Sequence, residues 1–369
     1  MKISMVDNSE QYKELKPELL RVLDDVMNSS IFIMGENVKI IEKSVSELHK
    51  VNHGIGCANG SDAIHIALEA TGIGPGDEVI TTPFTFFATA GSIVRTGARP
   101  VFVDIDSKSF NIDTKKIEQA ITQNTKAILP VHLYGQMADM ESIYQIAEKH
   151  NLIVIEDAAQ AIGAKFADKS PGELSSAAIF SFYPSKNLGA YGDGGMIITN
   201  DDEIAERMRV IRVHGAKPKY YHHVLGYNSR LDEMQAAILN IKFPKLKKWN
   251  ELRRKKAEIY NELFAQYSLS QVVLPIENNN SYHVYHQYTI RVDKRSELQE
   301  YLKANGIETT IYYPLPLHLQ PVFKYLGYKD GDLPETEKAS NEVLSLPIYP
   351  ELNEDTQKFI VSKINEFFN

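Results

Sequence analysis

Short apolar runs rich in β-branched residues alternate with stretches of helical periodicity along the first two thirds of this chain. That alternation restricts the folds open to it. The runs are Glu78–Thr82, Pro100–Asp104, Ala127–His132, Ile153–Asp157, Ala178–Phe182 and Gly195–Thr199. Between them lie the helical segments Asp62–Ala70, Asp113–Ile121, Met140–His150 and Asp201–Ile211, with Asp113 and Asp201 in position to cap their first turns. Strands separated by helices of this length form a mostly parallel sheet with helices on its faces, so the chain is expected to be α/β. In such sheets ligands bind beyond the carboxyl ends of the strands, and the ends of these runs are where chemistry is to be sought.

Further on, the periodicity predicts a long helix from Leu231 to about Phe264, interrupted at Pro244. It then predicts a smaller α+β unit with strands near Tyr288–Val292 and Glu308–Tyr312, a helix over Ser296–Ala304 and a terminal helix ending at Phe367–Phe368. The expected division is a large domain over 1–245 and a small C-terminal α+β domain over 246–369. No linker rich in Pro, Gly or Ser separates the two, so they are expected to pack as one body.

Composition removes several function classes. A formal charge of −8 argues against a nucleic-acid binder, which carries a basic footprint. The single cysteine, Cys57, allows neither a disulfide framework nor a thiolate metal cluster, and no metal site is expected. No apolar run approaches the ~18 residues of a membrane span, and the opening MKISMVDNSEQYKELK lacks the apolar core of a signal peptide. A cytoplasmic setting is therefore expected, with no membrane partner. One stretch, RVHGAKPKYYHH over residues 212–223, is locally basic. It reads equally as a solvated loop or as a face for a phosphate-bearing ligand.

Four motifs at strand ends carry the chemistry. In Ala58-Asn59-Gly60-Ser61-Asp62-Ala63, Gly60 permits a tight turn and Ser61 opens a helix whose free amides can hold a phosphate; alone, the same residues are an ordinary cap. In VIEDAAQ a hydrophobic strand delivers Asp157, with Gln160 three residues on. An ionised carboxylate there can hold a pyridine nitrogen protonated, although a strand-end Asp also serves to cap the next helix. In FSFYPSKNLG, followed by GDGG, Lys186 stands on a turn behind a hydrophobic strand, with Ser181 near the start of that turn and able to bind phosphate. A lone lysine on a turn is usually a surface charge. One placed before a glycine-rich loop and after a strand-end Asp suits a Schiff base with an aldehyde cofactor. In GYNSRLD, Asn228 and Arg230 offer neutral and cationic donors, or Asn228 or Ser229 simply caps the following helix.

Taken together, NGSDA, EVITTPFTFFATA, PVHLYGQMADM, VIEDAAQAIGA, FSFYPSKNLGAYGDGG, GYNSRLDEMQAAI and YYPLPLHLQP resemble the DegT/DnrJ/StrS family of sugar aminotransferases, over nearly the whole chain and in the right order. The resemblance implies the aspartate-aminotransferase fold (fold type I), pyridoxal 5'-phosphate as cofactor, and a homodimer with shared active sites. Carried over position by position, it implies Lys186 as the Schiff-base lysine, Asp157 as partner of the pyridine nitrogen, Gln160 at the ring hydroxyl and Phe86 stacked on the ring. Gly60, Ser61 and Ser181 would bind the phosphate, with Asn228 reaching it from the neighbouring subunit. Tyr183, Tyr313 and His318 would lie near the sugar.

The implied reaction is ping-pong transfer of an amino group from an amino acid, glutamate by resemblance, to the ketone of a nucleotide-linked (dTDP or UDP) keto-hexose. The freed Lys186 amine would act as base and then acid. The form of KYYHHVLGYNSRLD and PLPLHLQP resembles members that aminate carbon three. Three rival readings stand beside this one: a cyclitol aminotransferase, a sugar dehydratase on the same scaffold, and a non-catalytic regulatory protein. Deoxygenating members of the family carry histidine where this chain has Lys186. An inactive scaffold would be expected to have lost Lys186 or Asp157.

Overall fold

The computed structural model describes residues 2–369. Along the chain the strands are β1 (His53–Cys57), β2 (Glu78–Thr81), β3 (Arg99–Phe102), β4 (Thr125–Leu129), β5 (Ile153–Asp157), the short β6 (Lys165–Phe166), β7 (Ala177–Ser181) and β8 (Gly195–Thr199). All but β6 join in one seven-stranded sheet in the order β1-β8-β7-β5-β4-β2-β3. The pairings of β2 with β3 and β4, of β4 with β5 and of β5 with β7 are parallel; β8 lies antiparallel to both β7 and β1. This is the mostly parallel α/β sheet expected.

Both faces of the sheet are covered, which explains why its strands read as nearly continuous apolar runs rather than alternating ones. Helices Gly60–Ala70 and Asp202–Ile211 close one face over Ile55, Ile155, Ile179 and Ile197. Helices Glu36–Leu48, Met140–His150 and Glu233–Lys242 close the other over Ile80, Ile128, Ala178 and Ile198. Asp113 and Asp201 cap as expected, accepting from the Lys115 and Ile204 amides.

Several elements differ from the sequence reading. Strand β1, HGIGC, was not foreseen because its two glycines break the β-branched pattern; it forms through its antiparallel register with β8. The helix expected over Asp113–Ile121 is α-helical only for Thr114–Ile117 and tightens into a 3-10 turn over Glu118–Ala120. The long helix begins at Glu233, passes through a 3-10 turn over Phe243–Lys245 at Pro244, and continues as Leu246–Tyr267. Ser229, offered as its cap, instead accepts the Ala58 amide at 3.2 Å. No strand forms over Glu308–Tyr312. Thr310 makes a single bridge to Ser345, whose strand is already paired on its other side, and the chain then turns into the wall of the site.

In the C-terminal part, β9 (Ser281–Tyr282) pairs with β6, and β10 (Tyr288–Arg291) pairs antiparallel with β11 (Val343–Leu346). Helices Arg295–Ala304 and Glu354–Phe368 pack with them around Tyr260, Tyr288, Ile290, Leu302 and Ile360, and Ile3 joins this cluster. Among the described residues no helix is long and apolar enough to cross a membrane.

Candidate active site

A cavity of about 690 Å³ opens where β5 and β7 end, against the start of helix Gly60–Ala70. Its lining includes Gly60, Ser61, Phe86, Asp157, Gln160, Ser181, Tyr183, Lys186 and Tyr313, residues from five separate stretches of the sequence. The switch from strand to turn at each of these ends delivers the polar side chains to one place.

Asp157 is the most tightly held of them. Its backbone continues the sheet: its N–H donates to Pro130 O and its C=O accepts from the His132 N–H, both at 2.9 Å. Its carboxylate accepts from Thr89 Oγ1 at 2.7 Å and from the Ala159 amide at 3.2 Å. Burial pushes this carboxyl above its usual range, against the opposing pull of those two donors and of Lys186. Beneath it, Glu156 and His132 are fully buried and joined at 2.7 Å. Burial alone would raise Glu156, but the His132 contact, Ser175 Oγ at 2.5 Å and the Gly172 amide at 2.8 Å hold it below the ordinary carboxylate range.

Lys186 sits on the turn after β7, fixed by donation from its amide to Tyr183 O at 2.8 Å. Burial lowers its ammonium to about 8, opposed by the charge of Asp157. A lysine near 8 has a substantial neutral fraction at physiological pH, which a nucleophilic amine requires.

The opening of helix Gly60–Ala70 forms the third element. Asn59 Oδ1 caps it by accepting the Asp62 amide at 2.9 Å, which leaves the Gly60 and Ser61 amides without a helical partner at the positive end of the helix, and both residues line the cavity. A Cβ at residue 60 would stand 2.8 Å from Ser181 Cβ, so glycine is required for the helix to approach β7 this closely. On the opposite wall, Gln160 Oε1 accepts the Tyr134 amide at 2.7 Å and its Nε2 donates to Tyr313 Oη at 3.2 Å. The Tyr313 ring lies 6.4 Å from that of Phe86.

Two expected residues lie elsewhere. His318 does not face the cavity: it is buried in the 3-10 turn Leu317–Leu319, its Nε2 3.0 Å from Glu337 Oε1, because this turn directs Leu317 and His318 inward to pack. Asn228 is exposed and lies outside the lining of this chain's cavity. Sequence reading also passed over Thr89, Tyr134, His286 and Gln287. Thr89 lies within the TTPFTFFAT stretch that was noted. Tyr134 likewise lies within the noted PVHLYGQMADM stretch, whereas His286 and Gln287 reach the cavity through tertiary contacts, for which no local pattern exists.

The residues present fit pyridoxal phosphate. The cofactor needs an anion cradle, an anionic partner for its ring nitrogen and a lysine amine. The structure offers free amides at a helix start beside Ser181, a buried carboxylate bonded only to uncharged donors, and a half-buried lysine between them. Among the described residues Asp157 forms no ion pair, and a protonated pyridine nitrogen would give its carboxylate a cationic partner.

The family model for the DegT/DnrJ/EryC1/StrS aminotransferase family matches residues 13–365. The chain is 66% identical over 368 residues to a "Pleiotropic regulatory protein" of Geobacillus stearothermophilus, covering 100% of this chain and 99% of the relative. It is 46% identical to the UDP-N-acetyl-3-dehydro-alpha-D-glucosamine 3-aminotransferase of Acidithiobacillus ferrooxidans, over 96% and 94% of the two chains. Its fold matches the crystal structure of DesV of S. venezuelae in complex with a ketimine intermediate, with a TM-score of 0.97 at 39% identity, covering 99% and 98%. The chain therefore belongs to the DegT/DnrJ/EryC1/StrS aminotransferase family and is a pyridoxal-phosphate-dependent aminotransferase.

Proposed function

We propose that the protein transfers an amino group from L-glutamate to carbon three of a UDP- or dTDP-linked keto-hexose, as a step in amino-sugar biosynthesis in the cytoplasm. The observation that carries this reading is the pairing of Lys186 and Asp157 across one cavity, each pushed by burial toward its neutral form. The substrate assignment is supported by the 3-aminotransferase name of the 46%-identical relative.

In this reading Gly60, Ser61 and Ser181 hold the cofactor phosphate, Phe86 covers the ring and Gln160 meets its hydroxyl. Tyr183 and Tyr313 face the sugar. Bound there, the cofactor would supply an electron sink for the donor carbon that loses a proton and for the sugar carbon that gains one. Asp157, oriented by Thr89 and Ala159, would keep a negative charge at the ring nitrogen, and Lys186 Nζ would carry the proton between the substrate carbon and the cofactor, away from the donor's carbon in one half-reaction and onto the sugar's in the other.

The reading also includes a homodimer. Lys186 is the one lysine or arginine among the lining residues described, whereas a nucleoside diphosphate and glutamate both bring several negative charges. The stretch 212–223, with Lys217, Lys219, Tyr220 and Tyr221 at the surface, and the exposed Asn228 would supply donors to a neighbouring copy, a reading their exposure supports. The division at 245/246 belongs to the same reading. It is supported by helix Leu246–Tyr267, whose later residues Ala257, Tyr260 and Phe264 enter the C-terminal cluster.

The test is mass spectrometry of products formed from glutamate and a panel of UDP- and dTDP-linked 3-keto and 4-keto sugars. Amination of a 3-keto sugar is expected. Amination of 4-keto sugars alone would move the site of reaction, and amination of cyclitol ketones alone would replace the substrate class. The regulatory name of the 66%-identical relative raises a non-catalytic reading. Lys186 and Asp157, both retained and facing one cavity, weigh against it, and a protein that fails to exchange nitrogen with glutamate would revive it.

A further inference from the structure

Asp157 and Lys186 stand where the chain leaves two neighbouring parallel strands, β5 and β7. Beyond the last paired residues, Asp157 and Ile179, the sheet no longer sets the distance between the two turns. Two buried asparagines span that gap, and neither is among the residues lining the cavity. Asn187 follows Lys186 directly, and Asn250 comes from the start of helix Leu246–Tyr267. Asn250 Nδ2 donates to the backbone carbonyl of Ile162 at 3.0 Å, on the turn after Asp157. Glycine at 163 makes room for it, since a Cβ there would stand 2.9 Å from that nitrogen. Asn250 Oδ1 accepts from Asn187 Nδ2 at 2.8 Å, and the same Nδ2 donates to the backbone carbonyl of Val284 at 3.0 Å. A carbonyl can only accept, so neither amide can be turned around. Asn187 Oδ1 is left to accept from His286 Nδ1 at 3.2 Å. Both ends of this chain are anchored. Ala161 N–H donates to Ala158 O at 2.9 Å, which ties Ile162 closely to Asp157. Val284 N–H donates to Gly135 O at 2.9 Å, beside the Tyr134 amide that meets Gln160.

We infer that Asn187 and Asn250 are positioning residues, a strut of two amides that holds the turn carrying Lys186 against the turn that follows Asp157. A group that moves a proton must stand at the right distance from its carbon, and a displacement of about 1 Å costs about a hundredfold in rate. The lysine side chain is long and flexible; the strut fixes its root. Truncating either asparagine leaves buried donors and acceptors without partners, which entering water or a shift of the turn must then satisfy. Either change hydrates the Lys186 amine. No proton passes along the strut.

This inference rests on the roles given above to Lys186 and Asp157, and its first readout is separable from them. In the full chain, freed of cofactor, labelling of Lys186 by acetic anhydride is followed against pH by peptide mass spectrometry. The midpoint of that profile reports the titration of the amine, whatever the substrate proves to be. Wild type is expected near the value of about 8 that burial gives it. Asn187→Ala and Asn250→Ala should each raise the midpoint by about half a unit or more toward 10.5, because hydration favours the ammonium. As links of one chain their effects should not add, and the double variant should match Asn187→Ala. With cofactor and glutamate, each variant should lower kcat about tenfold while KM moves less than about twofold. Should Asn187→Ala not fold, Asn187→Ser keeps a donor for one of the two carbonyls, and a smaller rise of the midpoint is expected. Variants that lose thermal stability but leave the Lys186 midpoint in place overturn the inference, as do rises that add in the double variant or a kcat unchanged in both. Nitrogen exchange absent from the wild type would count against the functional reading and leave the labelling result untouched.

Discussion

Thr89 Oγ1 donates to Asp157 Oδ2 at 2.7 Å, and the same hydroxyl lies 3.0 Å from Thr85 Oγ1. The Thr89 proton is committed to the carboxylate, so Thr85 must donate to Thr89. This short chain fixes one oxygen of Asp157, and the Ala159 amide fixes the other. What remains free on the carboxylate faces the cavity.

Replacing Asp157 with Asn preserves this shape and removes the charge. The fold should survive with a melting temperature close to wild type. The glutamate half-reaction should slow roughly a hundredfold or more, because the ring nitrogen loses its anionic partner. Single-turnover kinetics measure this. An Asn variant as fast as wild type would reduce Asp157 to a structural role.

Lys186 should be indispensable. The wild-type protein is expected to purify with a visible absorbance band that glutamate shifts. Lys186→Ala should lose nitrogen exchange with glutamate by at least about a hundredfold while still binding cofactor through its phosphate contacts. Normal transfer by that variant would refute the mechanism.

A site shared between copies makes a quantitative claim. Lys186→Ala and Asn228→Ala, each impaired, are unfolded, mixed and refolded together. If Asn228 acts on a neighbouring copy, one site in each mixed dimer is whole, and random pairing restores about a quarter of wild-type activity. Native mass spectrometry confirms the mixed dimers. A mixture no more active than its parents would place Asn228 in its own subunit's service.

Lys242 gives a stability test away from the chemistry. It is buried, donates from Nζ to Gly189 O at 2.5 Å and lies 4.8 Å from the Tyr191 ring centroid; burial lowers it to about 8 from 10.5. Below pH 8 both folded and unfolded chains hold its proton, and folding bears the full cost of burying the charge. Between about 8 and 10.5 the unfolded chain binds more protons, so stability rises with pH. Measured against Lys242→Met in urea, wild type should gain about 1.4 kcal/mol per pH unit across that window, about 3 kcal/mol in all. A flat difference would show that the ammonium is not buried.

The sheet was legible because strands buried on both faces leave unbroken apolar runs, and Asp157, Lys186 and Ser181 were legible because they stand where such runs end. Strand β1 was not, since its glycines carry no propensity and its pairing partner lies far along the chain. The segment 308–312 alternates like a strand, but whether a segment pairs depends on a neighbour being available, which local pattern does not record. His318 illustrates a different limit. A motif can place a residue near a site without saying which way its turn will face. His286 is the converse, a cavity residue that no motif announced, held 3.2 Å from Asn187 far along the chain.

Tyr313 touches Gln160 on one side and approaches Phe86 on the other. In the proposed reading, the wall that meets the sugar is thus mechanically continuous with the two side chains assigned to the cofactor ring. An engineer who exchanges Tyr313 to admit a different sugar also loosens the ring. On that reading, new substrate preferences are best sought at Tyr183, which lines the same cavity, is exposed and is bonded to neither.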